Sequence, residues 1–438
     1  MLCAIDFVCA MHIPWEVLKG CLTRPHIISL SFDTPQSCLP AAPYPEDEVT
    51  SIPISLSSFS FTTPLWREHL HEIYEQSDSV YENLLALEAL CLSALVLRLN
   101  DTAEQLTLPM EATPMLSMLD RSWPKLQKLW FHGSYADATQ MKALPLLISR
   151  LPRLEDLSVT VRQRDGPVRR APILGHRSTS NAPLRPANIR LRSLAVAYPD
   201  PKDDIFSVDT TDMSHLSLRD YPRYYYNLTH HEPDDDFGTG SPAPILTNAE
   251  CLSILCRMNM PRLTSLELVY LTDPGGADDE LLNYVCQAFP SLAHLQLHRY
   301  RADRDEHVDY EHTARILTAA RSLRTIRLNL DLDGDHGPCC NYASTIDAWL
   351  AKVKDEIGPR VIGVLQDCPF LECCQLLYHA RDGSTWVEFR PPHWPEPRFI
   401  RDDNAHLDSE PFPYSDRLRY GPEFADKYAH LRTGRTKR

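Results

Sequence analysis

The chain has 438 residues, 43% of them hydrophobic and 24% charged, an ordinary globular balance that excludes a disordered or fibrous protein. Its net charge of -15 excludes a general nucleic-acid binder, because phosphate contact draws on an excess of Lys and Arg. Thirteen cysteines, an odd number without any C-x-x-C, argue against a disulfide framework; Cys91, Cys256, Cys286 and Cys368 fall in apolar runs and read as reduced core residues of an intracellular, cytoplasmic or nuclear protein.

Taken in order, the first ten residues are apolar but lack a basic start, and Asp6 and Pro14 interrupt them. The stretch reads as a poor signal peptide and is too short to span a bilayer, so no membrane role is expected. Residues 1–25 read as a helical cap with Trp15, Val17 and Leu18. Ile27-Ile-Ser-Leu30-Ser-Phe32 is the first strand, followed by a Pro- and Ser-rich loop over 33–53. Leu56, Phe59 and Phe61 repeat the strand spacing, and a helix is predicted within 65–90. Leu92-Ser-Ala-Leu95-Val-Leu97-Arg-Leu-Asn100 reads as a further strand, ended by the asparagine that leucine-rich repeats turn inward onto backbone groups of the next turn. Elsewhere that place holds Ser134, Arg162, Pro199, Leu271, Tyr300, Asp331 or His379, so an irregular coil is expected.

Leu126-Gln-Lys-Leu129-Trp-Phe131 and Leu154-Glu-Asp-Leu157-Ser-Val159 follow, then Leu191-Arg-Ser-Leu194-Ala-Val196 and Met213-Ser-His-Leu216-Ser-Leu218. Insertions separate them at 162–186, which is basic and rich in proline, and at 221–244, which carries Tyr224–Tyr226 and Asp234–Asp236. A helix over about 248–258 leads to the clearest repeats. These are Leu263-Thr-Ser-Leu266-Glu-Leu268, Leu292-Ala-His-Leu295-Gln-Leu297 and Leu323-Arg-Thr-Ile326-Arg-Leu328, whose leading leucines lie 29 and 31 residues apart. Between them Leu281, Leu282, Val285 and Phe289 recur at helical spacing after an acidic start, and Pro290 stops the helix. This period, with one strand and one returning helix in each unit, predicts stacking of unit on unit. A long helix is expected over 342–366, a last repeat at Leu371-Glu-Cys-Cys374-Gln-Leu376, a closing strand at Trp386–Phe389, and a polar, partly disordered tail over 391–438.

The predicted fold is therefore α/β: a leucine-rich-repeat solenoid, an irregular horseshoe with parallel inner strands and outer helices over 26–390. No catalytic, cofactor or metal site is predicted. G-x-S-x-G, P-loop and G-x-G-x-x-G motifs are absent, and no nucleophile has a spaced base. Asp331-Leu-Asp333-Gly-Asp335 has its glycine in the wrong place for a calcium loop and reads as an acidic turn; His336 with Cys339 and Cys340 lacks a fourth zinc ligand. Arg162, Arg164, Arg169, Arg170 and Arg177 read as surface. Recognition is expected on the concave face, from residues between and just after the apolar strand positions: Trp130, His132, Arg219, Glu267, Gln296, His298, Arg327, Asn329 and Gln375. The expected partner is a protein.

Arg24-Pro-His-Ile-Ile-Ser-Leu30, Ala171-Pro-Ile-Leu-Gly-His-Arg177, Leu216-Ser-Leu-Arg-Asp-Tyr-Pro-Arg-Tyr-Tyr225 and Thr385-Trp-Val-Glu-Phe389 resemble segments of the F-box/leucine-rich-repeat-like proteins of basidiomycete fungi. The resemblance implies a non-enzymatic substrate receptor, in which an N-terminal F-box docks on the adaptor of a cullin-type ubiquitin ligase and the repeats hold a target. Only 26 residues precede the first strand, less than a full F-box, although Ile13-Pro-Trp-Glu16 echoes its opening. Residues 1–25 are then an F-box remnant or cap. The alternatives are a truncated family member without a ligase role and an enzyme with a dispersed site.

Overall fold

A computed structural model describes residues 3–8, 13–33, 43–62, 78–135, 137–163, 170, 172–175, 189–221, 223–224, 245–273, 278–302, 306–335, 342–380, 383–390 and 398–401. The fold is mixed α/β with mostly parallel strands. The chain divides into two compact units: Met1–Asp165 with Ala171–Thr210, and Gly166–Arg170 with Thr211–Arg438. No helix among the described residues is long and apolar enough to cross a membrane.

In the first unit, β1 (Ala4–Val8), β2 (Ser29–Asp33), β3 (Ser58–Thr62), β4 (Gln105–Pro109), β5 (Lys128–Tyr135), β6 (Asp156–Gln163) and β7 (Ser193–Ala197) pair in parallel, each with the next. The register aligns the repeat phrase: Leu106 faces Leu129, which faces Leu157, which faces Leu194. At each rung one carbonyl receives two successive N–H groups of the next turn; Gln127 O, for example, accepts from Glu155 and Asp156 at 2.8 and 2.9 Å. The apolar side of the inner strands is covered, as shown by Leu129, Phe131, Leu157 and Val159 at 2% exposure or less, whereas Ile5 and Phe7 on the end strand β1 are half-buried. Each such burial contributes roughly 1.5–3 kcal/mol.

Three sequence expectations need correction here. The segment before residue 26 holds strand β1 as well as a helix, Trp15–Leu22. The run Leu92–Asn100 is not a strand: a helix spans Asp78–Val96 and a 3-10 turn follows at Leu97–Leu99. Leu92, Leu95, Val96 and Leu99 are all buried, at a spacing that serves one side of a helix equally well. The strand is instead β4, entered through Ala103-x-x-Leu106-x-Leu108, where a buried alanine takes the place of the leading leucine. Asn100 reaches Asp101 and, at 3.5 Å, Ser122 O, rather than closing a strand. Finally, Cys256 is exposed, whereas Cys91, Cys286 and Cys368 are buried.

Asp203 ties the 162–186 insertion to the segment after β7: its carboxylate accepts the N–H groups of Ile173 and Leu174 as well as that of Ile205. Burial raises its pKa to about 6 against the pull of those backbone donors.

In the second unit, β8 (His215–Arg219), β10 (Ser265–Leu271), β11 (His294–Tyr300), β12 (Thr325–Asn329) and β13 (Cys373–Ala380) run parallel, with short β9 (Leu246–Thr247) beside β10. The hairpin partner β14 (Gly383–Phe389) and then β15 (Arg398–Arg401) pair antiparallel. Returning helices span Asn248–Arg257, Asp279–Ala288 and Tyr310–Leu317. The first opens with a capping box, Thr247 Oγ1 accepting from Glu250 N and the Glu250 carboxylate accepting from Thr247 N. Glu250 also takes Arg170 bidentately, so that arginine of the basic insertion is engaged; Arg164, Arg169 and Arg177 lie outside the described residues. The long helix of the last repeat contains a π turn at Val353–Ile357 and resumes at Gly358. The ring of Phe389 occupies the place a Cβ on Gly358 would take.

Candidate functional site

Strand alternation sends every second side chain to the sheet face opposite the leucines. In the second unit the residue between the two apolar strand positions forms one registered row: Ser217, Glu267, Gln296, Arg327, Gln375 and, across the hairpin, Glu388. The row is hydrogen-bonded along most of its length. Ser217 Oγ donates to Glu267 Oε2 at 2.6 Å, and Gln296 Nε2 lies 3.3 Å from Glu267 Oε1. Arg327 Nε donates to Gln375 Oε1 at 2.6 Å, and Gln375 Nε2 to Glu388 Oε2 at 2.8 Å. Arg390 closes the far end on Glu388 Oε1 at 2.7 Å.

A second row lies two residues further along the strands. His298 faces Asn329, and Trp386 stands on the same side. His298 is fully buried, with Gln296 Nε2 2.8 Å from its Nε2 and Asn329 Nδ2 3.3 Å from its Nδ1. Burial first, and then the nearby Arg223, hold its pKa well below 6.5, so the ring is neutral. Trp386 meets the His298 ring edge-on at 5.7 Å and carries the Arg327 guanidinium 5.6 Å from its own ring centre. Its Nε1–H is buried without a hydrogen-bond partner among the described residues.

The segment after β8 folds onto these rows. Arg223, with no exposed side-chain surface, donates from one nitrogen to Asp220 Oδ1 at 2.9 Å and to Glu267 Oε1 at 3.1 Å. Asp220 in turn accepts Tyr224 N at 2.6 Å and Tyr300 Oη at 3.1 Å, and the Tyr224 ring stands edge-on against Tyr300. Burial pushes the Glu267 carboxyl up, but Arg219 and Arg223 outweigh it and hold the group ionised far below the usual carboxylate range. Arg219 Nε lies 3.9 Å from Glu267.

Of the nine residues expected to bind a partner, the structure brings seven together in the second unit. Arg219, Glu267, Gln296 and Arg327 keep part of their surface, whereas His298, Asn329 and Gln375 are buried within the network. Trp130 and His132 belong to the first unit, on β5; Trp130 is 39% exposed, and His132 Nε2 is 2.9 Å from Phe61 O. The sequence reading missed Ser217, Glu388, Asp220, Arg223 and Trp386. For Ser217 and Glu388 the alternation that picked out Glu267 was already a sufficient signal.

Asp331, Asp333 and Asp335 engage separate partners. Asp331, at φ +48°, accepts Arg301 N at 2.9 Å and its guanidinium, a backbone contact to the preceding turn and not to the next one. Asp333 meets His307, and Asp335 lies 3.9 Å from His379. Among the described residues no group of three His, Cys, Asp or Glu side chains is arranged to hold a metal. His336, Cys339 and Cys340 lie outside them, as do Tyr225, Tyr226 and Asp234–Asp236.

No family model matches the chain, and no curated protein matches it. Among solved structures, a chain of the Rad7 and Elc1 complex from yeast is similar over 75% of this chain and 76% of its own length, at 16% identity and a TM-score of 0.37.

Proposed function

We propose that this is a non-enzymatic protein-interaction module, built as a stack of leucine-rich repeats, that takes a protein partner on the polar face of its second unit. The observation that carries this reading is the registered row Ser217–Glu267–Gln296–Arg327–Gln375–Glu388. Charged and long amide side chains recur there at the one strand position that folding leaves free to vary, as in repeat proteins that recognise other proteins across a sheet. Arg327 over Trp386 adds the residue types that anchor interfaces.

On this reading the resemblance to F-box proteins extends to function: the chain is a substrate-recognition component of a cullin-type ubiquitin ligase in the cytoplasm or nucleus. Co-purification of the tagged chain with the ligase adaptor tests that extension, and its absence would remove it. The face itself is tested with the double variant Gln296→Ala/Arg327→Ala, since both positions retain exposed surface. Partners captured by the wild-type chain should be lost while the chain still unfolds in one cooperative transition, lowered by the bonds that Gln375 and His298 lose. Equal capture by the variant would retire the site.

A further inference from the structure

Arg223 does not belong to a repeat. It arrives from the turn after β8 and places a fully buried guanidinium against the row. The acceptors it meets have different origins. Asp220 comes with the turn, held in place by Tyr224 N and Tyr300 Oη. Glu267 comes from β10 and is positioned by Ser217 Oγ. Beside them Gln296 uses only its amide nitrogen among the described residues, which leaves Oε1 as a further acceptor on the same row. Two carboxylates and an amide oxygen are the complement of a planar, five-donor guanidinium, and they suit a compact ammonium less well. Without Arg223, Glu267 would keep Arg219 at 3.9 Å, while the fully buried Asp220 would lose the one cation paired with it among the described residues.

We infer that Asp220 and Glu267 form a guanidinium seat filled in cis by Arg223, and that the partner taken by this face presents an arginine that competes for it. The inference rests on the interaction reading above and names the chemistry of the partner. The chain's own arginine acts as a resident competitor, so apparent affinity for an arginine-bearing segment is lowered by the fraction of time the seat is filled. A neutral or acidic segment gains nothing there. The motif Leu216–Tyr225, which carries both Asp220 and Arg223, thereby acquires a role that strand spacing alone does not give it.

The test uses the full chain and N-acetyl-arginine amide as the probe, with N-acetyl-citrulline amide as its uncharged isostere. The Arg223→Ala chain should bind the arginine amide saturably, seen as a rise in unfolding temperature, and the citrulline amide at least tenfold more weakly. Adding Glu267→Gln should abolish the difference between the two probes. Should Arg223→Ala not fold, Arg223→Gln, which keeps a neutral donor on a shorter side chain, is titrated instead. In the wild-type chain the arginine amide should require a higher concentration and should speed hydrogen exchange at Arg223 and Tyr224 as it displaces the resident side chain. Equal response to both probes, or wild-type exchange that arginine amide leaves unchanged, would overturn the seat and reduce Arg223–Glu267 to a fixed structural pair. No partner protein enters this titration, so its failure is separable from a failure of the capture experiment.

Discussion

The two units use one backbone pattern and fill the same strand position with different chemistry. In the first unit the row between the apolar strand positions is Asp6, Ser31, Ser60, Thr107, Trp130, Ser158 and Ala195: one exposed carboxylate at the end strand, then short side chains interrupted by one exposed indole. In the second it is Ser217, Glu267, Gln296, Arg327 and Gln375, tied into a network with charges from outside the repeats. The leucines behind both rows are equally buried. Stacking is thus indifferent to what the row carries, and the second unit alone has put charge where it must be paired.

Breaking the pair in the second unit should have the largest effect. Glu267→Ala removes one of the two carboxylates described against the fully buried Arg223, and removing one member of a buried ion pair costs about 3–5 kcal/mol. Denaturant unfolding measures it; a loss under about 1 kcal/mol would mean the network is not what holds the turn. Next come the leucines themselves. Leu266→Ala and Leu157→Ala, each at 1% exposure, should each cost about 2–5 kcal/mol and by similar amounts in the two units. A clear inequality would break the equivalence of the stacks.

The sequence shows why the comparison was only half visible beforehand. The repeat phrase names the strands of the middle of the chain, but the sequence reading passed over Leu2-x-x-Ile5-x-Phe7 at β1, and the phrase itself fails at Ala103, where a small residue suffices because the turn there is already closed by backbone bonds from Thr102 and Ala103 to Leu99. It also misleads at Leu92–Leu99, since leucines three and four apart satisfy a helix as well as a strand entry. On the polar side, alternation finds Glu267, Gln296, Arg327 and Gln375. It cannot reveal that Arg223, 44 residues before Glu267, lies against it, because that contact is set by the path of a turn and not by any period.

Acid sharpens the contrast, because the two units respond with opposite sign. His298 in the second unit has a folded pKa well below its unfolded value near 6.5. Its contribution is whole above pH 6.5 and is lost as pH falls below it, since the unfolded chain takes up the proton first. Asp203 in the first unit has a folded pKa of about 6 against 3.8, so the folded chain binds the extra proton and this group favours folding as pH drops from 6 toward 4. Each slope is at most roughly 1.4 kcal/mol per pH unit. Protection factors read unit by unit between pH 7 and 5 should diverge, and His298→Gln and Asp203→Asn should each flatten their own unit's slope. Parallel slopes in the two variants would contradict the assignment.

The smallest effect is expected at Trp130. Standing 39% exposed in a row of small residues, its replacement by alanine should change stability by no more than about 1 kcal/mol. A loss comparable to Leu157→Ala, read in the same denaturant series, would show that the first unit too depends on its polar-side row.

Gly358 sets a different kind of limit. Where the long helix resumes after its π turn, the helix backbone and the Phe389 ring share a space with no room for even a methyl group. The terminal hairpin is therefore berthed against bare main chain, and any substitution at that codon acts as a wedge. A lineage that lost this glycine would have to shed the aromatic ring as well, or let the final strands drift off their mooring and expose the rim of the sheet to whatever strand came by.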